Sequence, residues 1–208
     1  MRENNKIFII GLPRTGTTSI CVALLNLGYK VAHTAYTSKC METAEVIADT
    51  PVFCDYQMLD KQYPKAKFIY LERQFELWLP SIRQLLKRMH KNIVRVDGGF
   101  NPILKRCFKE TFSPFELDSF DQDEFLLQCY KKHQQAIKQY FAHRKEDILT
   151  INVSDSEAYA RMCDFLALNE AKNSLNRREK KFEKINVGGK ITAWNSIKSE
   201  LKIDSNMK

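Results

Sequence analysis

Residues 7–19 of the chain read IFIIGLPRTGTTS, and this stretch sets the expectation for the whole fold. Its first four residues are apolar without alternation, which is typical of a strand that is buried on both faces of a sheet. Gly11 and Gly16 bracket a turn, and from Thr17 onward apolar residues recur at intervals of three and four up to Gly28. That spacing predicts a helix that ends at this glycine.

Strands and helices alternate along most of the remaining chain. The further elements that we predict are strands at residues 29–33, 67–71 and 148–153, and helices at residues 41–48, 74–89, 124–144 and 157–168. This alternation predicts an α/β fold of three layers, a P-loop-like domain with a central parallel sheet flanked by helices. A length of 208 residues with 44% hydrophobic content suits a single domain over residues 1–208.

Two segments have weaker patterns. Residues 92–121 contain Gly98, Gly99, Pro102 and Pro114 between apolar clusters, so we expect a lid or an acceptor-binding insertion there. Residues 169–208 form a basic C-terminal segment, which we expect to be a solvated surface that supplements the binding site. Trp78 and Tyr130 fit the cores of helices, whereas the positions of three histidines predict solvated side chains: His90, His133 and His143.

The charge balance favours an anionic partner. The formal net charge is +8 and the isoelectric point is near 9.1, which suits nucleic acid, a membrane surface or a charged small molecule. The chain lacks a recognisable nucleic-acid-binding module and any apolar run near the roughly 20 residues of a membrane span. We therefore expect neither of these partners, while a homo-oligomer stays open.

Six cysteines are scattered through the chain without a C-x-x-C pair or a matching histidine pattern. Such spacing predicts no metal site and no small disulfide framework. Most of them lie among apolar neighbours, as reduced core thiols do, so we expect a reducing compartment, the cytoplasm.

The loop of residues 11–16 is suited to holding an anion. A strand that runs through a turn into a helix directs backbone N–H groups and the positive end of the helix dipole at one point. Thr17, Thr18 and Ser19 add hydroxyl donors. The spacing of Gly11 and Gly16 matches the start of a nucleotide-binding P-loop, but Thr17 stands where that motif has lysine. A nucleoside triphosphate is thus disfavoured, and a P-loop kinase or NTPase is the alternative.

At these residues the sequence resembles the sulfotransferase family, and most closely its small bacterial-type branch. The family's 5′-phosphosulfate loop reads Pro-Lys/Arg-Ser/Thr-Gly-Thr-Thr, which is matched here by Pro13, Arg14, Thr15, Gly16, Thr17 and Thr18. The family also has an arginine at a strand end and a serine eight positions later, as Arg73 and Ser81 are here. Its late loop, Phe-Arg-Lys-Gly-x-x-Gly, is matched only by Phe182, Lys184 and Gly188.

The resemblance implies sulfuryl transfer from 3′-phosphoadenosine 5′-phosphosulfate (PAPS), which leaves as the 3′,5′-bisphosphate (PAP). Arg14 and the loop N–H groups would stabilise the charge that grows on the leaving oxygen, and the hydroxyls of residues 17–19 would orient the 5′-phosphate. Arg73, Ser81 and Lys184 would hold the 3′-phosphate. The sulfuryl group carries less charge than a terminal phosphoryl group, so no metal is expected.

The catalytic base and the acceptor are less constrained. Asp49, before Thr50 and Pro51, stands roughly where many family members have a His-x-Pro histidine, and His33 and Asp55 come next. A turn aspartate is an equal interpretation of Asp49. The acceptor is a small molecule of open type: alcohol, phenol, amine or sugar. A non-catalytic protein that binds a sulfonucleotide or nucleic acid is a further alternative.

Overall fold

A five-stranded parallel sheet forms the centre of the protein in the computed structural model, which describes residues 6–168, 181–183 and 194–208. The strands are β1 (Ile7–Ile9), β2 (Val31–Ala32), β3 (Val46–Ala48), β4 (Lys67–Leu71) and β5 (Ile148–Ile151). Their order in the sheet is β2-β3-β1-β4-β5, and every pairing is parallel. The predicted α/β fold is confirmed.

Helices follow the strands along the chain. Their bounds are α1 (Thr17–Asn26), α2 (Ser38–Thr43), α3 (Val52–Gln62), α4 (Phe75–Val94), α5 (Pro102–Thr111), α6 (Leu117–Phe120), α7 (Asp123–Tyr140) and α8 (Ala158–Phe165). Among these helices, none combines the length and the apolar composition that a membrane span requires.

Both faces of the sheet are covered by helices, which explains the unbroken apolar run of β1. Ile7 and Ile9 pack with α1 and α8 on one face, while Phe8 and Ile10 pack with α3 and α7 on the other. Successive side chains of a strand point to opposite faces, so a strand covered twice needs apolar residues throughout. A third apolar cluster joins α4, α5, α6 and α7 to Leu12 and Phe53.

The structure corrects the predicted helix at residues 41–48. Helix α2 ends at Thr43, and Val46–Ala48 form strand β3 in register with β1, with Ile47 opposite Phe8. An apolar run of three residues is too short for periodicity to distinguish a strand from a helix. Helix α3, which follows Pro51 directly, was not predicted either.

The two weakly patterned segments are more ordered than the sequence suggested. Residues 92–121 include α5 and α6, and they bury Cys107, Phe108, Phe112 and Phe120. The described part of the C-terminal segment is not a solvated tail, because Val31 in β2 accepts a hydrogen bond from the Ile203 N–H at 2.9 Å and donates one to the Leu201 carbonyl at 2.9 Å. This pairing satisfies backbone N–H and carbonyl groups at the edge of the sheet, and the charge pattern of the sequence does not predict it.

Candidate functional site

Polar residues follow four neighbouring strands at the carboxyl edge of the sheet. The loop that begins at Gly11 follows β1, His33 follows β2, Asp49 follows β3, and Arg73 comes two residues after β4. From β1 the chain continues to β2 and β3, which lie on one side of β1 in the sheet, whereas the later strands β4 and β5 lie on its other side. Ligands of such sheets bind in the crevice where the strand order reverses, which here lies between β1 and β4.

The loop is held in shape by its own hydrogen bonds and by one tryptophan. The carbonyl of Leu12 accepts from the Thr15 N–H at 3.3 Å and from the Thr15 hydroxyl at 2.7 Å. The indole N–H of Trp78 donates to the Pro13 carbonyl at 2.9 Å, and the indole is fully buried. Pro13 and Thr15 therefore fix the path of the loop, and Trp78 has a structural role in it besides the predicted core packing.

The N-terminus of α1 is open toward the crevice. Gly16 is the N-cap residue, with φ of 110°, and no side chain caps the helix. The first hydrogen bond of the helix runs from the Ile20 N–H to the Gly16 carbonyl at 3.2 Å. The N–H groups of residues 17–19 come before it and have no partner within the helix. Thr17 and Thr18 lie inside the first turn and are not caps. This end of the helix retains the donors and the partial positive charge that favour an anion.

Direct hydrogen bonds connect the loop with the second predicted motif. The Arg14 Nε donates to the Ser81 hydroxyl oxygen at 2.7 Å, and the Arg73 guanidinium donates to the Arg14 carbonyl at 2.8 Å. Arg73 is thus directed into the site rather than toward Glu72, whose ion-pair partner in the described part of the chain is Lys138. The structure brings the two motifs together, although more than fifty residues separate them.

Positive charge accumulates at this point. The pKa of Arg14 is lowered by its burial and then by the nearby charges of Arg88 and Arg73, while burial alone lowers the pKa of Arg73. Neighbouring guanidinium groups in a partly desolvated site repel one another, and an anion between them relieves that repulsion. The sequence reasoning missed Arg88. Its position seven residues after Ser81, two turns along the same helix, is the signal that would have identified it.

Asp49 and His33 influence each other's charge beside the loop. Burial raises the pKa of Asp49, against the effects of His33, the Thr50 hydrogen bonds and Arg14. Burial lowers the pKa of His33, while the Asp49 charge raises it. The His33 Nε2 lies 3.1 Å from the Thr18 hydroxyl oxygen, so the pair reaches the first turn of α1. Both residues remain partly accessible at the surface.

Asp49 has an unusual backbone conformation for an aspartate. Its φ is 48°, in the left-handed region, and its carbonyl accepts from the Phe53 N–H at 3.1 Å in the turn that leads into α3. Left-handed residues other than glycine are uncommon, and they occur frequently at functional sites. Asp49 therefore serves the turn with its backbone and faces the site with its carboxylate.

Tyr130 supports Arg73 from α7. Its hydroxyl donates to the Arg73 carbonyl at 2.7 Å, and its ring lies 4.9 Å from that of Trp78. The predicted core positions of Trp78 and Tyr130 are confirmed, since both are buried. Both side chains also hold the backbone of a site residue, which periodicity in a sequence does not reveal.

Several predicted residues lie elsewhere. Asp55 pairs with Arg106 at 2.5 Å and does not belong to the group around Arg14. Lys184 and Gly188 lie outside the described residues, while Phe182 is buried against Tyr159.

Of the three histidines predicted to be solvated, only His143 is exposed. His90 stacks on Phe115 with ring centroids 5.8 Å apart. His133 lies against Tyr56 and Tyr70, and its Nε2 is 3.0 Å from the Phe53 carbonyl. The predictions for His90 and His133 were wrong, because aromatic side chains from other parts of the chain cover the faces that looked polar in the sequence.

Comparison with known proteins gives one finding on identity. A family model described as "Sulfotransferase domain" matches residues 6–38 and 33–189, which include the loop, Asp49, Arg73 and Ser81. No curated protein matches the chain.

Proposed function

Because the chain belongs to the sulfotransferase family, we propose that it transfers a sulfuryl group from PAPS to a hydroxyl or amine acceptor. The observation that carries this proposal is the hydrogen-bonded group of Arg14, Ser81 and Arg73 beside the uncapped N-terminus of α1. Two of these residues come from the motif expected at a 3′-phosphate and one from the motif expected at a 5′-phosphosulfate. The family match also favours this function over a nucleoside-triphosphate enzyme.

The residues present suit a nucleotide that carries anionic groups at both its 5′ and 3′ positions. Three guanidinium groups lie close enough for Arg88 and Arg73 to lower the pKa of Arg14, and α1 retains free N-terminal donors. In the proposed complex, the loop with Thr17, Thr18 and Ser19 holds the 5′ end, and Arg73 with Ser81 holds the 3′-phosphate. Lys184 is the predicted additional contact in the late loop. PAPS, when bound, supplies the sulfuryl group and leaves as PAP.

Arg14 is the proposed stabiliser of developing charge. Charge stabilisation by donors that are already in place is commonly the largest contribution to catalysis of this kind. The Arg14 side chain is positioned by Ser81, and its backbone is positioned by Arg73, so little reorganisation is needed. The α1 N–H groups assist at the same place.

Asp49 is the proposed base, with His33 as its partner. A carboxylate whose pKa is raised by burial holds a proton more readily at neutral pH, which favours removal of a proton from an acceptor hydroxyl. The neighbouring His33 limits that rise and bonds toward Thr18. The acceptor is proposed to enter beside residues 92–121, and a cytoplasmic location remains a prediction from the free cysteines.

Calorimetry with PAP tests the binding half of the proposal. We expect Arg73→Ala to weaken PAP binding by roughly tenfold to more than a hundredfold, equivalent to about 1.5 to 3 kcal/mol. Arg95→Ala removes the same charge from the end of α4, where Arg95 pairs with Asp97, and is expected to leave the affinity within about twofold. Unchanged affinity in Arg73→Ala would exclude the role of Arg73, and stabilisation by magnesium-ATP but not by PAP would favour the kinase alternative.

The catalytic half is tested with Asp49→Asn. The amide keeps the shape of the side chain but cannot accept the proton, so turnover of PAPS with a competent acceptor is expected to fall by about 10²- to 10⁴-fold while PAP affinity changes little. Full turnover in this variant would remove Asp49 from the mechanism. A wild-type protein that binds PAP but turns over no alcohol, phenol, amine or sugar would support the non-catalytic alternative.

A further inference from the structure

Two cysteines from different helices meet at the wall of a cavity that is separate from the anion site. The cavity, of about 550 Å³, lies between α3, α5 and α7, and none of the loop residues 11–19, Asp49, Arg73 or Ser81 lines it. Cys54, on α3, is one of its lining residues and is partly exposed. The sulfur of Cys107, on α5, is buried and lies within 4.8 Å of the Cys54 sulfur.

Charged groups surround Cys54 on its other sides. Glu110 accepts a hydrogen bond from the Cys54 thiol at 3.2 Å, and the Arg106 guanidinium lies 3.9 Å from the same sulfur. Glu110 is therefore placed to accept the thiol proton when the sulfur reacts, and Arg106 places a cation beside the sulfur, as in the surroundings of reactive cysteines. The partly exposed thiol of the pair is therefore also the one whose sulfur contacts a proton acceptor and a cation.

Cys107 has the properties of a second, resolving thiol. Its hydrogen bond with Cys54 and its burial raise its pKa well above the ordinary value, so it remains protonated while Cys54 is reduced. Cys54 is the first cause of that rise, so Cys107 is the less readily oxidised thiol of the reduced pair. The Arg106 charge acts in the opposite direction and lowers the pKa of Cys107.

The arrangement of Arg106 disfavours a metal ion at this cluster. Its guanidinium donates to both carboxylates, to Asp55 at 2.5 and 3.0 Å and to Glu110 at 2.9 Å. A cation bound by the two thiols and Asp55 would have to displace this guanidinium. The positive charges of the cation and of Arg106 would then lie close together. Both acidic side chains are already paired with Arg106, so the reactive groups that the cluster offers are its thiols.

We propose that Cys54 and Cys107 form a redox-active pair, in which a peroxide oxidises Cys54 and Cys107 then closes a disulfide between α3 and α5. The Cys54 thiolate attacks hydrogen peroxide, the O–O bond breaks, and Cys54 becomes a sulfenic acid while hydroxide leaves and takes up the proton released from the thiol. The Cys107 sulfur then attacks the Cys54 sulfur, and water leaves. In total, two thiols and one peroxide give one disulfide and two waters.

This pair is independent of the proposed sulfuryl transfer and is tested without any nucleotide. The full-length reduced protein is treated with one equivalent of hydrogen peroxide at neutral pH, and its peptides are mapped by mass spectrometry without reduction. We expect the peptides of Cys54 and Cys107 to be joined, with Cys21 and Cys163, which are buried in another apolar cluster, still reduced. A wild-type protein that shows no such link, or links other cysteines in preference, would overturn the proposal.

Single substitutions separate the two roles. Cys107→Ser is expected to accumulate the Cys54 sulfenic acid, which dimedone traps, whereas Cys54→Ser is expected to leave Cys107 reduced. Cys129→Ser is the matched control, because Cys129 lines the same cavity and the disulfide should form unchanged. Sulfenic acid on Cys107 in the Cys54→Ser variant, at the wild-type rate, would contradict the assigned order.

Two further measurements test the surroundings of the pair. Arg106→Met is expected to slow the oxidation by about tenfold, with Arg106→Lys partly restoring the rate, since a nearby cation stabilises the thiolate. Binding of one equivalent of Zn²⁺ by the reduced protein, lost in Cys107→Ser, would identify a metal site and overturn the redox assignment.

Discussion

Replacing Gly16 with alanine places a methyl group where the structure has no room for it. An added Cβ would lie 2.5 Å from the Cγ2 of Val153, the residue that follows β5 by two positions, and the backbone φ of Gly16 is 110°. The conformation costs about 1 to 2 kcal/mol for a residue with a Cβ, and forced contact in a packed region costs about 1 to 3 kcal/mol more. We expect Gly16→Ala to lower the free energy of unfolding by about 2 to 5 kcal/mol.

Matched variants separate the two contributions. Gly28 also has a positive φ, of 83°, but an added Cβ would meet no atom within 4 Å, so Gly28→Ala is expected to cost only about 1 to 2 kcal/mol. Adding Val153→Ala to Gly16→Ala removes the obstructing methyl groups. The double variant is expected to be about 1 to 3 kcal/mol more stable than the sum of the single changes predicts.

Urea unfolding followed by circular dichroism provides the assay. The midpoint of each variant is compared at a constant slope, because a changed slope would signal a different unfolded or native state. The reasoning is refuted if Gly16→Ala and Gly28→Ala lose the same free energy of unfolding and Val153→Ala adds independently to Gly16→Ala. That result would mean that the turn of residues 11–16 adapts freely, and that its shape is not fixed by contact with the loop after β5.

Three further predictions concern residues that support the site or the core. Trp78→Phe removes the donor to the buried Pro13 carbonyl and is expected to cost about 1 to 3 kcal/mol in urea unfolding, together with a loss of PAP affinity in calorimetry. Tyr130→Phe removes the hydroxyl that donates to the Arg73 carbonyl, and we expect PAP to bind severalfold more weakly while the fold is retained; unchanged binding would show that Arg73 is positioned without it. Burial lowers the pKa of His133 to about 4, below its ordinary value near 6.5, so the unfolded chain binds the proton first. Stability is therefore complete above pH 6.5 and falls toward pH 4 by up to about 3 kcal/mol, and unfolding curves of His133→Phe should lack this part of the pH dependence.

Patterns that are long or locally complete were interpreted correctly from the sequence. The buried strand β1, the following loop, α1, β4 and the long helices α4 and α7 all occur near the predicted residues. Their signals are local, because turn glycines, helical spacing and unbroken apolar runs each depend on neighbours in the chain.

Short or interrupted patterns led to errors. Val46–Ala48 form a strand because β1 and β2 pair with it on both sides. A run of three apolar residues does not predict that pairing. Helices α5 and α6 form between glycines and prolines because they bury Phe108 and Phe120 in a cluster with α4 and α7. Stabilisation of this kind comes from residues distant in the chain.

The sequence by itself predicted the residues of the proposed anion site, because the loop and the spacing of Arg73 and Ser81 are local motifs. Only the tertiary structure decided how they act together. Parallel strands end at one edge of the sheet, so Arg14, Arg73, Asp49 and His33 converge there, and Arg88 joins them along α4.

The tertiary structure also distinguishes Cys54 and Cys107 from the other four cysteines. Scattered spacing in the sequence predicted only reduced core thiols, and in the structure all six are free. The packing of α3 against α5 nevertheless brings Cys54 and Cys107 together across more than fifty residues, beside Arg106 and Glu110. The spacing of the cysteines along the chain does not predict this contact, because the contact depends on which faces of α3 and α5 pack together.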